Sequence, residues 1–344
     1  MKLAWLKERV PVDLDKLSEL SNEPVPGHLK RWWFALGGTP AYLLMVQLAT
    51  GLLLMFYYVP EPGRAYGSVA HLTHDVAFGW WLRSIHKWSA SGMIVAVLLH
   101  TMRVFFTGSY RKPRELTWMF GAVLLFLTLA EGLSGYSLVY EQLSFWGATV
   151  TSNLAGAMPG IGGFARRLVL GGDEVGPATL TRFFVAHVAI FPALILVAVA
   201  AHIALVRIHG MSSETRFKAQ ATEPKTFPFV PDHLLTELMI AITLMVLLDV
   251  LAVRFPASLG DPANAAITPE HIRPEWYFYF AFRWLKLTTL RIGVLGVFVA
   301  ALVMLFWPFV DGGLRRLSKR DLSIGFGVAA VLVVVIFTIW EALA

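Results

Sequence analysis

Polar and apolar positions along the chain sort into seven long apolar stretches separated by polar connections. The stretches are Trp33–Val59, Gly79–Phe106, Leu116–Leu138, Thr181–Arg207, His233–Val253, Ile292–Val310 and Leu322–Trp340, labelled A to G. Each is long enough to cross roughly 30 Å of hydrocarbon as a helix. The pattern predicts an all-α membrane protein with seven transmembrane helices. A charged linker between His209 and Pro231 sets off four helices (A–D) in residues 33–210 from three (E–G) in residues 211–344. Residues 1–32 are charged, carry prolines and lack the apolar run of a signal peptide, which predicts a surface arm. The C–D and E–F connections are long and rich in Gly and Pro, and loops of that length usually carry function.

Composition supports the membrane reading. The 344 residues are 56% hydrophobic and 15% charged, outside the soluble range. A net charge of +6 suggests nucleic acid at first sight, but the basic residues gather in the connections between apolar stretches, so no nucleic-acid partner is expected. Arg103, Arg111, Lys112 and Arg114 follow B; Arg207, Arg216, Lys218 and Lys225 follow D; Arg315, Arg316, Lys319 and Arg320 follow F. All three clusters fall on one side of an alternating seven-helix chain, together with the N-terminus. The positive-inside rule makes that side cytoplasmic. There is no cysteine, which excludes disulfides, thiolate metal sites, cysteine-held iron–sulfur clusters and thioether-attached haem within this chain.

Four histidines lie inside B and D. His86 and His100 are 14 residues apart, and His187 and His202 are 15 apart. On an α-helix, 14 residues advance about 21 Å and return to within about 40° of the same face, whereas 15 land about 60° off. With B and D parallel, His86 faces His187 near the outer side and His100 faces His202 near the inner side. Two stacked bis-histidine sites suit two b-type haems. A lone intramembrane histidine is as readily a hydrogen-bonded core residue, but matched spacing on two helices favours ligation. Zinc is disfavoured, since ligands about 21 Å apart on one helix cannot share an ion.

Glycines repeat the same rhythm: Gly37 and Gly51 in A, Gly121 and Gly135 in C, each pair 14 apart. A flat macrocycle needs backbone without side chains beside it; close helix packing through small residues is the competing explanation, and the shared spacing favours haem pockets. Arg83, Arg182 and Arg103 lie near the histidines and are candidates for pairing with haem propionates, although Arg103 also fits a topology charge at a helix end.

Several segments resemble cytochrome b of the bc-type quinol oxidoreductases: Arg83-Ser-Ile-His86-Lys-Trp-Ser-Ala-Ser, Arg111-Lys-Pro-Arg-Glu-Leu-Thr-Trp118, Gly135-Tyr-Ser, Leu180-Thr-Arg-Phe-Phe and, above all, Pro274-Glu-Trp-Tyr277. The resemblance covers nearly the whole chain. The 15-residue His187–His202 separation and seven helices are closest to the photosynthetic b/f type, while Ser144-Phe-Trp-Gly-Ala-Thr-Val150 resembles the respiratory type; the chain looks like a fused, mixed form, bacterial rather than organellar. The resemblance implies quinol oxidation at the outer side, electron passage through two haems, quinone reduction at the inner side, and a contribution to proton translocation. It implies Glu275 as proton acceptor with Tyr277 beside it, and Arg207, His209 and Asp232 as inner quinone-site candidates, which are nearly as well read as interfacial residues. It implies a Rieske-type iron–sulfur protein and a c-type cytochrome as partners, a homodimer within a multisubunit complex, and the bacterial cytoplasmic membrane as location.

Departures from the family pattern qualify this. The photosynthetic type tethers an extra haem c through a cysteine where this chain has Ala35, so no covalent haem c is expected. Val139-Tyr140-Glu141-Gln142 alters the wall of the outer quinol pocket, Glu131 stands where the family is apolar, and Arg283-Trp-Leu-Lys286 diverges after the Pro-Glu-Trp-Tyr segment. Two rival functions are a di-haem membrane anchor of a dehydrogenase, exchanging electrons with quinone at a single site, and a haem-free transporter.

Overall fold

The computed structural model describes residues 24–26, 36–210, 226–318 and 321–344. The N-terminal arm apart from residues 24–26 and also Ala35 lie outside the described residues, as do Lys319 and Arg320 and most of the linker after α8. Thirteen α-helices are seen among the described residues. They are α1 (Thr39–Met55), α2 (Pro62–His74), α3 (Gly79–Thr107), α4 (Glu115–Leu138), α5 (Gln142–Gly156), α6 (Gly162–Leu170), α7 (Pro177–Val185), α8 (Phe191–His209), α9 (Leu234–Arg254), α10 (Tyr279–Lys286), α11 (Leu290–Leu305), α12 (Trp307–Ser318) and α13 (Ser323–Leu343). A short antiparallel pairing of β1 (Pro24–Pro26) with β2 (Thr226–Pro228) is the one ribbon among them.

Starts and stops follow local chemistry. Pro40, Pro62 and Pro177 sit in the first turns of α1, α2 and α7, where a missing N–H costs nothing. Gly108 ends α3 in the left-handed conformation at φ 71°, closing it with backbone bonds to Phe105 and Val104 carbonyls. Stretches B, C, E and G appear as α3, α4, α9 and α13 within a few residues of the predicted ends. Stretch D is longer than expected, a 33-residue span over Pro177–His209. It contains a π turn at Ala186–Ile190 between α7 and α8, closed by Phe191 N–H on the Ala186 carbonyl. Stretch A is shorter, with 17 helical residues in α1.

Stretch F is not the straight helix predicted over Ile292–Val310. The helix stops at Leu305 and turns by 78° into α12. Pro308 is the physical cause: proline disfavours helix in the residue before it and supplies no N–H to continue the ladder. Helix α12 has apolar and polar faces, with Trp307, Pro308 and Asp311 buried and Arg315 and Arg316 in its last turn. Among the described residues five helices are long and apolar enough to cross a membrane, and the α11–α12 pair makes a sixth if counted as one span.

The core lies between the helices that carry the histidines and their neighbours. Leu43 and Leu44 of α1, Ile85, Met93, Ala96 and Val97 of α3, Leu125 of α4, Ile195 of α8, and Leu248 and Ala252 of α9 form one buried cluster. Outward faces stay apolar, as at Val197, Met239, Phe298 and Ile336, which suits a lipid solvent. Two polar clusters tie the ends of the bundle. At one end Arg111 Nε meets buried Asp311 at 2.9 Å and its Nη2 meets Asp321 at 2.8 Å, joining the α3–α4 connection to α12 and the start of α13. At the other end fully buried Glu341 of α13 pairs with Arg283 at 3.0 Å and Lys286 at 2.5 Å. The Arg283 guanidinium also lies 4.5 Å over the Trp340 ring, so the divergent Arg283-Trp-Leu-Lys286 segment fastens α10 to α13.

Candidate functional site: two histidine pairs and a loop carboxylate

The four helices α1, α3, α4 and α8 alternate in direction, and this brings the predicted histidines together in the predicted pairs. His86 and His187 rings lie 6.3 Å apart between centroids at 80°. His100 and His202 lie 6.5 Å apart at 76°. Metal–imidazole bonds of about 2 Å, plus about 1.1 Å from nitrogen to ring centre, put two axial rings about 6.3 Å apart. Both separations therefore fit a single metal between the rings.

The π turn explains why the pairs match although the spacings differ. His187 lies inside Ala186–Ile190, and a π turn takes up one extra residue without extra rotation. Fifteen residues in this span thus rotate about as far as fourteen in α3. The offset of about 60° expected from a regular helix gives way to the offset of about 40° that α3 also has, so the two spans match.

Each predicted glycine backs one histidine. A Cβ on Gly37 would lie 3.7 Å from His100 Cε1, on Gly51 3.3 Å from His86 Cε1, on Gly121 3.4 Å from His202 Cε1, and on Gly135 2.6 Å from His187 Cε1. The missing side chains let the imidazoles press onto the backbone of α1, of Gly37 just before it, and of α4, leaving the space between the paired rings to a flat ligand. The donor set and these cradles fit haem; among the described residues no group of three or more His, Asp or Glu could hold a bare metal ion.

Hydrogen bonds fix the tautomers at one end. Thr50 Oγ1 donates to the Val46 carbonyl at 2.7 Å, so its lone pair accepts from His86 Nδ1–H at 2.8 Å. Ser134 Oγ donates to the Glu131 carbonyl at 2.9 Å and accepts from His187 Nδ1–H at 3.1 Å. Protonated Nδ1 leaves Nε2 bare, the form that binds metal. At the other end His100 Nδ1 has no hydrogen-bond partner among the described residues, and His202 Nδ1 lies near the Thr117 backbone outside hydrogen-bond geometry.

The arginines are placed less simply. Arg83 donates to the Ala257 and Ser258 carbonyls at 2.8 and 2.9 Å, strapping the α9–α10 connection down. Arg182 Nη1 donates to the Arg167 and Leu168 carbonyls at the end of α6. Backbone carbonyls thus account for both Arg83 and Arg182 before any anion is invoked, with N–H groups to spare on each guanidinium. Arg103 stands one turn after His100, within electrostatic reach of it.

The Pro274-Glu-Trp-Tyr277 segment sits at the His86–His187 end. Glu275 is half-buried and lines a cleft of about 320 Å³ with Lys87, Trp88, Ser91, Phe255 and Trp276. Burial raises its carboxyl above the ordinary range; nearby Lys87 opposes this and Glu141 adds to it. Tyr277 is buried, its ring 4.8 Å from Phe278, and its hydroxyl packs against Gly132. Burial keeps it a neutral phenol, with Glu275 and Tyr136 acting the same way. The altered wall at Glu141-Gln142 holds this loop. Glu141 accepts from Gly260 N–H at 2.6 Å, and Gln142 Nε2 donates to the Ile267 carbonyl at 2.5 Å.

Of the inner-site candidates, Arg207 and His209 close α8, and Asp232 precedes α9. The His209 carbonyl accepts from Arg114 at 3.1 Å, while its Nδ1 is buried without a partner among the described residues. Sequence reasoning missed His233 and Glu237, which approach to 3.7 Å beside Asp232, and the buried Glu341. A histidine and a glutamate four apart at a helix start was the available signal for the first pair.

Comparison with known proteins bears on the family and the fold. Residues 20–210 match the family Cytochrome b/b6/petB and residues 262–343 match Cytochrome b(C-terminal)/b6/petD. A cytochrome bc complex cytochrome b subunit of Chlorobaculum thiosulfatiphilum is 37% identical over 96% of this chain and 77% of its own length. A cytochrome b6 of Prochlorococcus marinus is 40% identical over 60% of this chain and 94% of its own. A solved structure titled Hyperthermophilic respiratory Complex III superposes with a TM-score of 0.82 at 26% identity, covering 98% of this chain and 97% of that one. The chain belongs to the cytochrome b/b6 family, whose members bind b-type haem. It is a multi-pass membrane cytochrome b of the bc and b6f type, with both family regions joined in one chain.

Proposed function

We propose that this chain is the haem-bearing core of a quinol:electron-acceptor oxidoreductase, in which His86 and His187 would hold one b-type haem and His100 and His202 a second. The observation that carries the reading is the repeated unit of two imidazoles at metal-spanning distance, each backed by a glycine. Haem in these sites supplies one-electron carriage between the two sides of the membrane. The guanidinium groups of Arg83, Arg103 and Arg182 would serve its propionates.

Glu275 accepts a proton from quinol in the cleft beside Lys87 and Trp276, and Tyr277 closes the wall behind it. A carboxyl raised by burial holds that proton well enough to take it from a phenol and then pass it to water. The strap from Arg83, Glu141 and Gln142 keeps the loop over the cleft. At the opposite end quinone is reduced near Arg207, His209 and Asp232, so the paired reactions move protons across the membrane. The chain sits in the bacterial cytoplasmic membrane with its N-terminus cytoplasmic. Of the two electrons of quinol, one passes to a Rieske-type iron–sulfur protein and on to a c-type cytochrome and the other reaches the quinone at the opposite end, in a dimeric complex, and Ala35 leaves no attachment for covalent haem c.

Purification of the intact assembly tests this. Two b haems per chain, no covalent haem, and quinol oxidation with a co-purifying iron–sulfur subunit are expected. A single-site dehydrogenase partner without that subunit would replace this reading with the membrane-anchor alternative.

A further inference from the structure

Glu131 is an ionisable side chain in the middle of α4, at a depth where a leucine would carry no desolvation cost. Its neighbours supply the reason for it. Glu131, Ser134 and Gly135 lie three and four residues apart, on one face of the helix. Gly135 has no Cβ to keep His187 away, and the imidazole settles onto that face so closely that an added Cβ would lie 2.6 Å from it. In this position Nδ1 meets three oxygens, the Glu131 carbonyl at 3.1 Å, Ser134 Oγ at 3.1 Å and Glu131 Oε1 at 3.3 Å. The other carboxyl oxygen, Oε2, is buried with no hydrogen-bond partner among the described residues. Among the described residues none of the other three paired histidines has a carboxyl hydrogen-bonded at its Nδ1: His86 has a hydroxyl, and His100 and His202 have no hydrogen-bond partner there.

We propose that Glu131 is a positioning residue for the haem site at the loop end, acting through His187. Its carboxyl oxygen stands 3.3 Å from the Nδ1 whose N–H is shared by Ser134 Oγ and the Glu131 carbonyl. By that contact it supports the tautomer that presents Nε2 and makes the imidazole a stronger electron donor to whatever metal it binds. Hydrogen bonding to the far nitrogen of a ligating imidazole is a recognised control on ligand basicity and on redox potential. A more basic ligand favours the oxidised metal, so Glu131 holds down the reduction potential of this site and leaves the His100–His202 site untouched. The inference rests on His187 being an axial ligand.

The test is a redox titration of the full assembly carrying Glu131→Gln, with haem content measured alongside. Glutamine keeps the size of the side chain and weakens the acceptor. The expected result is two haems retained, one of the two reduction waves raised by a factor of about ten in its equilibrium constant, about 59 mV for one electron, and a shifted low-spin EPR signal for the same haem. The same titration in a His202→Leu background, where only the loop-end haem remains, identifies the wave; if that background fails to assemble, movement of one wave and constancy of the other decides. Selective loss of one haem in Glu131→Gln, with the other retained, also supports a role at His187. Unchanged waves and EPR signals, or loss of both haems together, overturn the inference. A parallel His187→Leu variant separates the premises: if it keeps both haems the ligand assignment fails, and if it loses one while Glu131→Gln changes nothing, only the role of Glu131 falls.

Discussion

The two histidine pairs are alike in what faces the space between the rings and different in what stands behind them. Centroid separations of 6.3 and 6.5 Å and ring angles of 80° and 76° make the inward geometry nearly the same. Behind the rings, the loop-end pair is held by Thr50, Ser134 and Glu131, whereas His100 has only packing and Gly37. Spacing on a helix can repeat a ligand site, but it does not repeat the hydrogen bonds that tune it. The two ends are one design with two chemical surroundings, and the loop end, beside Glu275, is the more tightly specified.

The largest way to break the equivalence is to delete one ligand from each pair. His187→Leu and His202→Leu should each lose about half of the haem b and abolish turnover while the chain still inserts, since axial imidazoles hold the iron. Pyridine haemochrome quantitation of membranes checks this, and full haem content in both variants would sink the pairing. Next in size, Glu275→Gln should slow quinol oxidation by about 100-fold with both haems present, the usual scale for a lost general base. The sign of its pH dependence follows from the raised carboxyl. Glu275 must be unprotonated to accept, so the wild-type rate climbs with pH through a value above the ordinary carboxylate range, in a setting that includes Lys87, Glu141, Tyr136 and Tyr277. The glutamine variant should lose that climb; a retained climb assigns it to another group.

A smaller effect sharpens the contrast between the ends. Gly135→Ala places a methyl 2.6 Å from His187 and should cost about 1–3 kcal/mol through overpacking. Gly37→Ala places one 3.7 Å from His100, an ordinary contact, and should be tolerated. Thermal release of haem, followed in the Soret band, compares the two, and equal behaviour would falsify the close approach at Gly135. Smallest of all, Thr50→Val removes one hydrogen bond from His86 Nδ1, worth about 1 kcal/mol. A modest shift of the loop-end haem in the optical redox titration, with the other haem constant, is expected.

Much of the site was legible because helical spacing is a local property. His86 and His100, and Gly121 with Gly135, share faces by arithmetic alone, and alternating topology paired them correctly. The partners of Arg83 and Arg182 were not legible, because the carbonyls they bind belong to Ala257 and Arg167, far along the chain or on a small helix that the long C–D loop concealed. Stretch F differs from the straight helix expected because an apolar run has no mark for direction; Pro308 is visible in the sequence, but only the fold shows that the chain bends there by 78°.

By itself the sequence determined seven apolar segments, the repeat of 14, the absence of cysteine chemistry and the Pro-Glu-Trp-Tyr segment, since each is written in neighbouring residues or in a helical period. Tertiary structure decided what the fifteenth residue between His187 and His202 means. The π turn at Ala186–Ile190 absorbs it, which no count of residues could show, because a helix chooses where to place an extra residue by what packs against it. It also decided that Glu131 meets His187, since two side chains 56 residues apart meet only when α4 and the D span pack together with Gly135 between them.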